Sequence, residues 1–294
     1  MAGENGSVKS VLITGASTGF GMDVALSMAQ QGWRVFASMR NPDKSEALLS
    51  AAKSAGVLHR VHVVALDVTD ARSIERAVAQ VLAQTGGVID ALLNNAGYTT
   101  VGCFEDIPDA DCRRLMETNF FGTLAVTRAV LPAMRRAGAG RIVLITSNAV
   151  NAPHPLFTLY AASKWALEGW AEGLAMELAP FGIDVAVLQP GAHRTPFAQN
   201  VIPVVPENSA YAALMNTAAP GLQRLDRWGR DADKAVAPIV NALTCAKPEF
   251  RRQVGADTLL FALLKGLLPY CVRAWLIRKI VGFPQRNALQ SRLL

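Results

Sequence analysis

Short apolar runs alternate with longer amphipathic stretches along most of this chain, and that alternation is its strongest constraint. The runs at 8–13, 34–38, 61–66, 91–93, 141–146 and 184–188 are nearly continuous in apolar residues. A strand with one wetted face shows a two-residue period; an unbroken apolar strand is buried on both faces. The stretches between them, 22–31, 42–55, 71–84, 109–136 and 158–180, have helical spacing of apolar residues. Strand–helix alternation with such strands predicts a parallel sheet covered on both sides, an α/β doubly wound nucleotide-binding fold. A further strand end at 252–255 brings the expected sheet to about seven strands.

The chain has 294 residues, 51% of them hydrophobic, enough for a large core, and only 18% charged, which excludes a disordered polyelectrolyte. Cys103, Cys112, Cys245 and Cys271 have no CxxC spacing, so neither a zinc site nor a disulfide framework is expected, and a reducing, cytoplasmic setting fits. The first seven residues are short and polar and read as carrying no secretion signal. The net charge of +6 is uneven: from Arg251 onward eight cations face one acid, Asp257, leaving the body slightly negative. The cations there interleave with aliphatics instead of forming a polar stripe with stacking aromatics, which argues against nucleic-acid binding.

Directly after the first strand comes Thr14-Gly15-Ala16-Ser17-Thr18-Gly19-Phe20-Gly21, opening a helix. Glycines there permit a tight turn and close approach of the backbone to a pyrophosphate, and the helix N-terminus offers free N–H groups. No Gly-Lys-Ser/Thr follows, so this is not the turn of a nucleotide hydrolase. Further on, Tyr160-Ala161-Ala162-Ser163-Lys164 puts a phenol and an ammonium on one helix face. A neighbouring cation favours phenolate and brings proton exchange closer to neutrality. Alone, such a pair is often a half-buried Tyr beside a solvated Lys.

Taken together, TGxxxGxG, Asn94-Asn95-Ala96-Gly97, Tyr160-x-x-x-Lys164 and Pro190-Gly191-x-x-x-Thr195 resemble the short-chain dehydrogenase/reductase family over roughly residues 8–255. The resemblance implies a single-domain Rossmann fold over 1–255 and hydride transfer with a nicotinamide dinucleotide. It implies Tyr160 as general acid/base, Lys164 lowering its pKa and holding the nicotinamide ribose, Ser147 orienting substrate, and Asn119 holding a relay water to the Lys. Cofactor contacts are expected from Gly15, Ser17, Thr18, Gly19, Phe20, Gly21, Asp67, Val68, Asn95, Ala96, Gly97, Tyr160, Lys164, Pro190, Gly191 and Thr195. The chain departs from the family at Val150, where a Gly is usual three residues after the Ser, and in Pro153 and Pro155 around His154. His154 and His193 read as loop or solvated histidines rather than substrate contacts.

After the second strand, an acid would bind a ribose 2′-OH; here Met39 and Arg40 stand instead. An Arg there can pair a 2′-phosphate bidentately, so NADP(H) is expected over NAD(H). Phe157, Leu159, Ala192, Phe197, Val201 and Leu214 or Met215 are expected to wall a pocket for a bulky hydrophobic alcohol or carbonyl, under a covering segment at 190–230 with a helix at 208–224. The layout resembles the family's steroid/retinoid dehydrogenase-like branch. The tail, 256–294, is apolar and basic: leucines at helical spacing, then Trp275, Leu276 and Ile280 among Arg273, Arg278 and Lys279. It reads either as an interfacial helix on an anionic membrane or as helices packed over the pocket or a partner subunit. The resemblance also implies a homodimer or homotetramer through the helices at 109–136 and 158–180. Against an enzyme stands a dinucleotide-binding regulator without turnover, a role that would not require Asn119, Ser147, Tyr160 and Lys164 together.

Overall fold

The computed structural model describes residues 8–194, 201–227, 230–231 and 233–283. Seven parallel strands form one sheet: β1 (Ser10–Ile13), β2 (Arg34–Met39), β3 (Val61–Ala65), β4 (Ala91–Asn94), β5 (Gly140–Ile145), β6 (Ile183–Pro190) and β7 (Arg251–Val254). Their order across the sheet is 3-2-1-4-5-6-7, and every pairing is parallel. The reversal lies between β1 and β4, so the crevice beyond their carboxyl ends is where such a sheet binds a ligand.

Helices cover both faces. Helix α1 (Gly19–Gln30), α2 (Glu46–Ser54) and α8 (Asp233–Thr244) bury Val24, Met28, Leu48 and Ile239 against Val11, Ile13, Val35 and Leu93. On the other face α3 (Ala71–Thr85), α5 (Gly122–Ala137) and α6 (Thr158–Leu178) bury Ile74, Val78, Val126, Val130, Met134 and Leu174 against Leu12, Phe36, Leu92 and Ile142. Successive side chains of each strand thus enter opposite cores, which is why the strands read as unbroken apolar runs.

The expected elements form with small shifts, and one stretch is not uniform. The helix expected over 109–136 divides into α4 (Asp109–Met116), a π-helical turn (Glu117–Phe121) and α5. Such turns interrupt α-helices where a residue is redirected, and this one carries Asn119. In the covering segment α7 (Ala212–Arg227) starts later than expected; the tail folds as α9 (Ala256–Leu267) and α10 (Tyr270–Val281), divided at Pro269, which cannot donate to α9. Two short parallel pairs, Thr99–Val101 with Val201–Pro203 and His193–Arg194 with Arg230–Asp231, edge the crevice. All four cysteines are free thiols.

Candidate active site

A cavity of about 650 Å³ opens at the carboxyl ends of β1, β4, β5 and β6. Its floor is the glycine turn. Gly15 and Gly19 have φ of +67° and +59°, the left-handed region that side chains avoid. A Cβ on Gly15 would lie 2.9 Å from the Cα of Ala96, and one on Gly21 would lie 2.5 Å from the Gly15 carbonyl oxygen. The turn is sewn to β4: Asn95 Nδ2 donates to the carbonyls of Thr14 and Gly15 at 2.9 and 3.0 Å, and the Thr14 hydroxyl accepts the N–H groups of Asn95 and Ala96, both at 3.0 Å. Thr18 makes no side-chain cap, so the first N–H groups of α1 face the cavity uncapped. These residues fit a dinucleotide: close backbone approach, donors, and no side chain in the way.

The proton-transfer groups meet above this floor. Ser147 follows β5; its hydroxyl accepts the N–H of Ala149 at 3.1 Å and hydrogen-bonds the Tyr160 phenol. Tyr160 and Lys164 are one turn apart on α6, with the Lys164 ammonium 5.6 Å from the Tyr160 ring centroid. Lys164 Nζ donates to the carbonyl of Ile145 at 2.9 Å. Lys164 is expected to pull the phenol toward neutrality; burial acts in the opposite sense. Burial pushes Tyr160 up to about 12, only partly opposed by the Ser147 hydrogen bond, and burial pulls Lys164 down to about 8. Desolvation penalises both charged forms.

Asn119 is fully buried on the π turn. Its amide accepts from the N–H of Tyr98 at 3.0 Å and donates to the Tyr98 carbonyl and the Ser163 hydroxyl at 2.9 and 3.1 Å. Ser163 donates in turn to the Tyr160 carbonyl at 2.8 Å. A Cβ on Gly97 would lie 3.1 Å from Asn119 Oδ1 and 3.6 Å from Lys164 Nζ. Gly97 thus keeps clear the gap between the expected relay groups.

Beneath the chemistry lies a polar lock that the sequence reading missed. Glu168, one turn beyond Lys164 on α6, accepts from Thr146 at 2.7 Å, Gln189 at 2.8 Å and Arg251 at 2.7 Å. Asn151 donates to Gln189 at 2.9 Å. A Glu four residues after the Lys on the buried face of an amphipathic helix was the available signal.

The cavity's upper wall differs from expectation. Phe157 and Ala192 line it, whereas Val201, Leu214 and Met215 stand outside the lining, packed with Leu156, Tyr211 and the Phe157 side chain in a small adjoining cluster. Their place is taken by Phe261 of α9 and Ile277, Ile280 and Val281 of α10. The Asp257 carboxylate accepts the N–H of Ala192 at 3.2 Å, tying the tail to the Pro190-Gly191 turn. His154, in the loop before α6, and His193 are half-buried and also line the cavity. His193 Nδ1 bonds the Gly191 carbonyl at 3.0 Å, and its ring meets Phe20 edge-on. The His154 ring Nδ1 is buried with no hydrogen-bond partner among the described residues, and burial lowers the imidazole to about 4. Leu156 beside it has φ of +73°, strained for a residue with a side chain. Arg40, Asp67 and Val68 lie outside this cavity, at the ends of β2 and β3. Arg40 is exposed; the Asp67 carboxylate accepts from Thr69, and Val68 packs on Gly122. Thr195 and Phe197 lie outside the described residues.

Residues 9–204 match the family described as short chain dehydrogenase. The chain belongs to the short-chain dehydrogenase family. It is 34% identical to a 3-ketodihydrosphingosine reductase of Bacteroides thetaiotaomicron, over 88% of this chain and 93% of that one. Retinol dehydrogenase 8 of Homo sapiens is also 34% identical, over 83% and 81%, which sets this short-chain dehydrogenase with the steroid/retinoid-like branch. A crystal structure of a short-chain dehydrogenase from Streptomyces avermitilis superposes with a TM-score of 0.77 at 35% identity, covering 92% and 95%. Family and fold agree that the chain is an oxidoreductase.

Proposed function

We propose that this oxidoreductase interconverts an alcohol and the corresponding ketone or aldehyde, a ketone where the alcohol is secondary, on a bulky hydrophobic substrate, with NADP(H). The observation that carries the reading is the Ser147–Tyr160 hydrogen bond, placed between an uncapped glycine cradle and an apolar upper wall. Bound across the Gly15–Gly21 turn, a nicotinamide dinucleotide supplies the hydride chemistry. In reduction, Tyr160 gives its proton to the substrate oxygen, and in oxidation it takes that proton. Ser147 donates to the same oxygen as charge develops there. Lys164, a turn away, offsets the charge left on the phenolate and passes protons along the gap over Gly97 toward Asn119.

The substrate class rests on Phe157, Phe261, Ile277 and Val281 in the wall. The substrates named for the two relatives, 3-ketodihydrosphingosine and retinol, fit it. His154 adds one demand: a neutral imidazole without a partner accepts or donates one hydrogen bond to an uncharged polar group of the substrate. Preference for NADP(H) rests on Arg40, exposed and without an ion pair among the described residues, next to buried Met39 where an acid would stand. A homodimer or homotetramer is supported by Phe121 and Met176, exposed on the outer helix surfaces.

A panel of steroids, retinoids, aromatic ketones and long-chain carbonyls with NADPH and NADH, read at the nicotinamide absorbance band, tests the reading. Tyr160→Phe should cost about 10²- to 10⁴-fold in kcat; full activity in that variant would sink the assignment. Arg40→Ala should shift the kcat/KM ratio toward NADH, and an unchanged ratio would remove Arg40 from cofactor choice.

A further inference from the structure

The tail helices have two unlike faces. Inward, Phe261 of α9 and Ile277 and Val281 of α10 wall the cavity. Lys265 fixes that seating: its Nζ donates to the Val150 carbonyl at 3.0 Å and lies 3.8 Å from the Trp165 ring centroid. Outward, α9 presents Leu259, Leu260, Leu263 and Leu267, exposed by 51%, 54%, 55% and 78%. Those spacings place them on one helix face, and Tyr270, 77% exposed, continues it across the joint. A contiguous apolar face of this kind is unlike the singly scattered apolar residues of ordinary protein surfaces.

Charge says what covers it. Beside this face α10 exposes Val272 and Trp275 together with Arg278 and Lys279, and Lys279 Nζ lies 5.1 Å from the Trp275 ring. The single acid of the two helices, Asp257, is turned to the Ala192 N–H at the cavity. The outer surface is therefore apolar and cationic, with no acid among its described residues. A second copy meeting it about a two-fold axis would set like charges against each other. An anionic bilayer supplies both hydrocarbon and negative headgroups. Among the described residues no helix is long and apolar enough to cross a membrane, and twelve residues of α-helix reach only about 18 Å.

We propose that the outer face of α9 and α10 docks this protein on an anionic lipid surface. Helix α9 lies in the interfacial plane, its four outward leucines reach the acyl boundary, Tyr270 and Trp275 sit at headgroup depth, and Arg278 and Lys279 meet lipid phosphates. Docking does not depend on turnover. If the hydrophobic-substrate reading holds, its added consequence is that the far side of the docked helices is the cavity wall, so an apolar substrate can enter from lipid.

The test is flotation of the full chain with phosphatidylcholine vesicles and with mixed phosphatidylcholine–phosphatidylglycerol vesicles. The wild type is expected to float with the mixed vesicles and less with phosphatidylcholine alone. Leu263→Glu with Leu267→Glu should stay at the bottom. Arg278→Glu with Lys279→Glu should weaken binding to the anionic vesicles by more than about tenfold. Neither pair lines the cavity, so both should bind NADPH as the wild type does; the charge pair decides the matter should the leucine pair fail to fold. A wild type that stays at the bottom with both vesicles overturns the proposal. So does undiminished flotation of the variants, or a dimer in sedimentation velocity that the leucine pair dissociates while no vesicle binds.

Discussion

Tyr160 and Lys164 show how burial sets the terms for proton transfer. The phenol is pushed up to about 12 and the ammonium down to about 8, so near neutrality the pair rests as a neutral phenol beside a mostly charged ammonium that gives up its proton more easily than a free lysine. The sequence showed the pair because spacing along one helix is local information, and the family resemblance added Ser147 and Asn119. It did not show the sign of the Tyr shift, which depends on surroundings assembled from distant segments. His154 went unrecognised for the same reason: its walls come from a loop and from helices more than a hundred residues later. It carries a pH signature. Its folded pKa of about 4 lies below the ordinary value of 6.5, so below pH 6.5 the unfolded chain takes up the proton that the folded chain refuses. Stability should therefore fall as pH drops from about 6.5 toward 4, by on the order of 3 kcal/mol at most. His154→Leu should flatten that part of the profile in thermal melts followed between pH 7 and about 4; an unchanged slope would place the titration elsewhere.

At the scale of elements, α6 is held to the sheet by Glu168 as well as by its apolar face. One buried carboxylate bonds β5 through Thr146, β6 through Gln189 and β7 through Arg251. Since Thr146 precedes Ser147 and Lys164 precedes Glu168 by one turn, the lock also sets the distance between the catalytic strand end and the catalytic helix. Glu168→Leu would leave Arg251 with only Glu172 and the Gln189 amide nitrogen without its acceptor, while Thr146 keeps the Leu188 carbonyl; the cost should be about 1–3 kcal/mol, seen as a lowered denaturant midpoint. Apolar periodicity revealed six of the seven sheet strands almost to their ends, because burial on both faces leaves a continuous signal. The π turn at Glu117–Phe121 escaped, since one extra residue within a helix barely disturbs a 3.6-residue period.

Across the whole molecule, the tail is held to the body by apolar packing of Ile277, Val281 and Phe261 around Ala152 and by a small number of polar contacts. Lys265 reaches the Val150 carbonyl and the Trp165 ring, and Asp257 reaches the Ala192 N–H. Val150 stands where the family usually has a Gly, so the loop's departure from the pattern and the tail's anchor coincide. Lys265→Ala should release the tail: with a charged hydrogen bond contributing about 2 kcal/mol, proteolytic cutting within 256–283 should quicken by roughly ten- to thirtyfold. The melt of the body should be little changed, and KM for an apolar substrate should rise more than kcat falls. The amphipathic tail left two readings open in the sequence because both of its faces are apolar; only the folded chain shows which side chains the cavity claims.

That the cavity wall is borrowed from the last helices has an evolutionary consequence. The candidate relay residues and the glycine cradle are encoded before residue 195, while Phe261, Ile277, Ile280 and Val281 of the cavity's apolar wall are encoded after residue 255. Selection can therefore redraw what the enzyme accepts by exchanging its C-terminal exon-sized end, leaving its reaction untouched, and grafting tails between relatives should transplant appetite without chemistry.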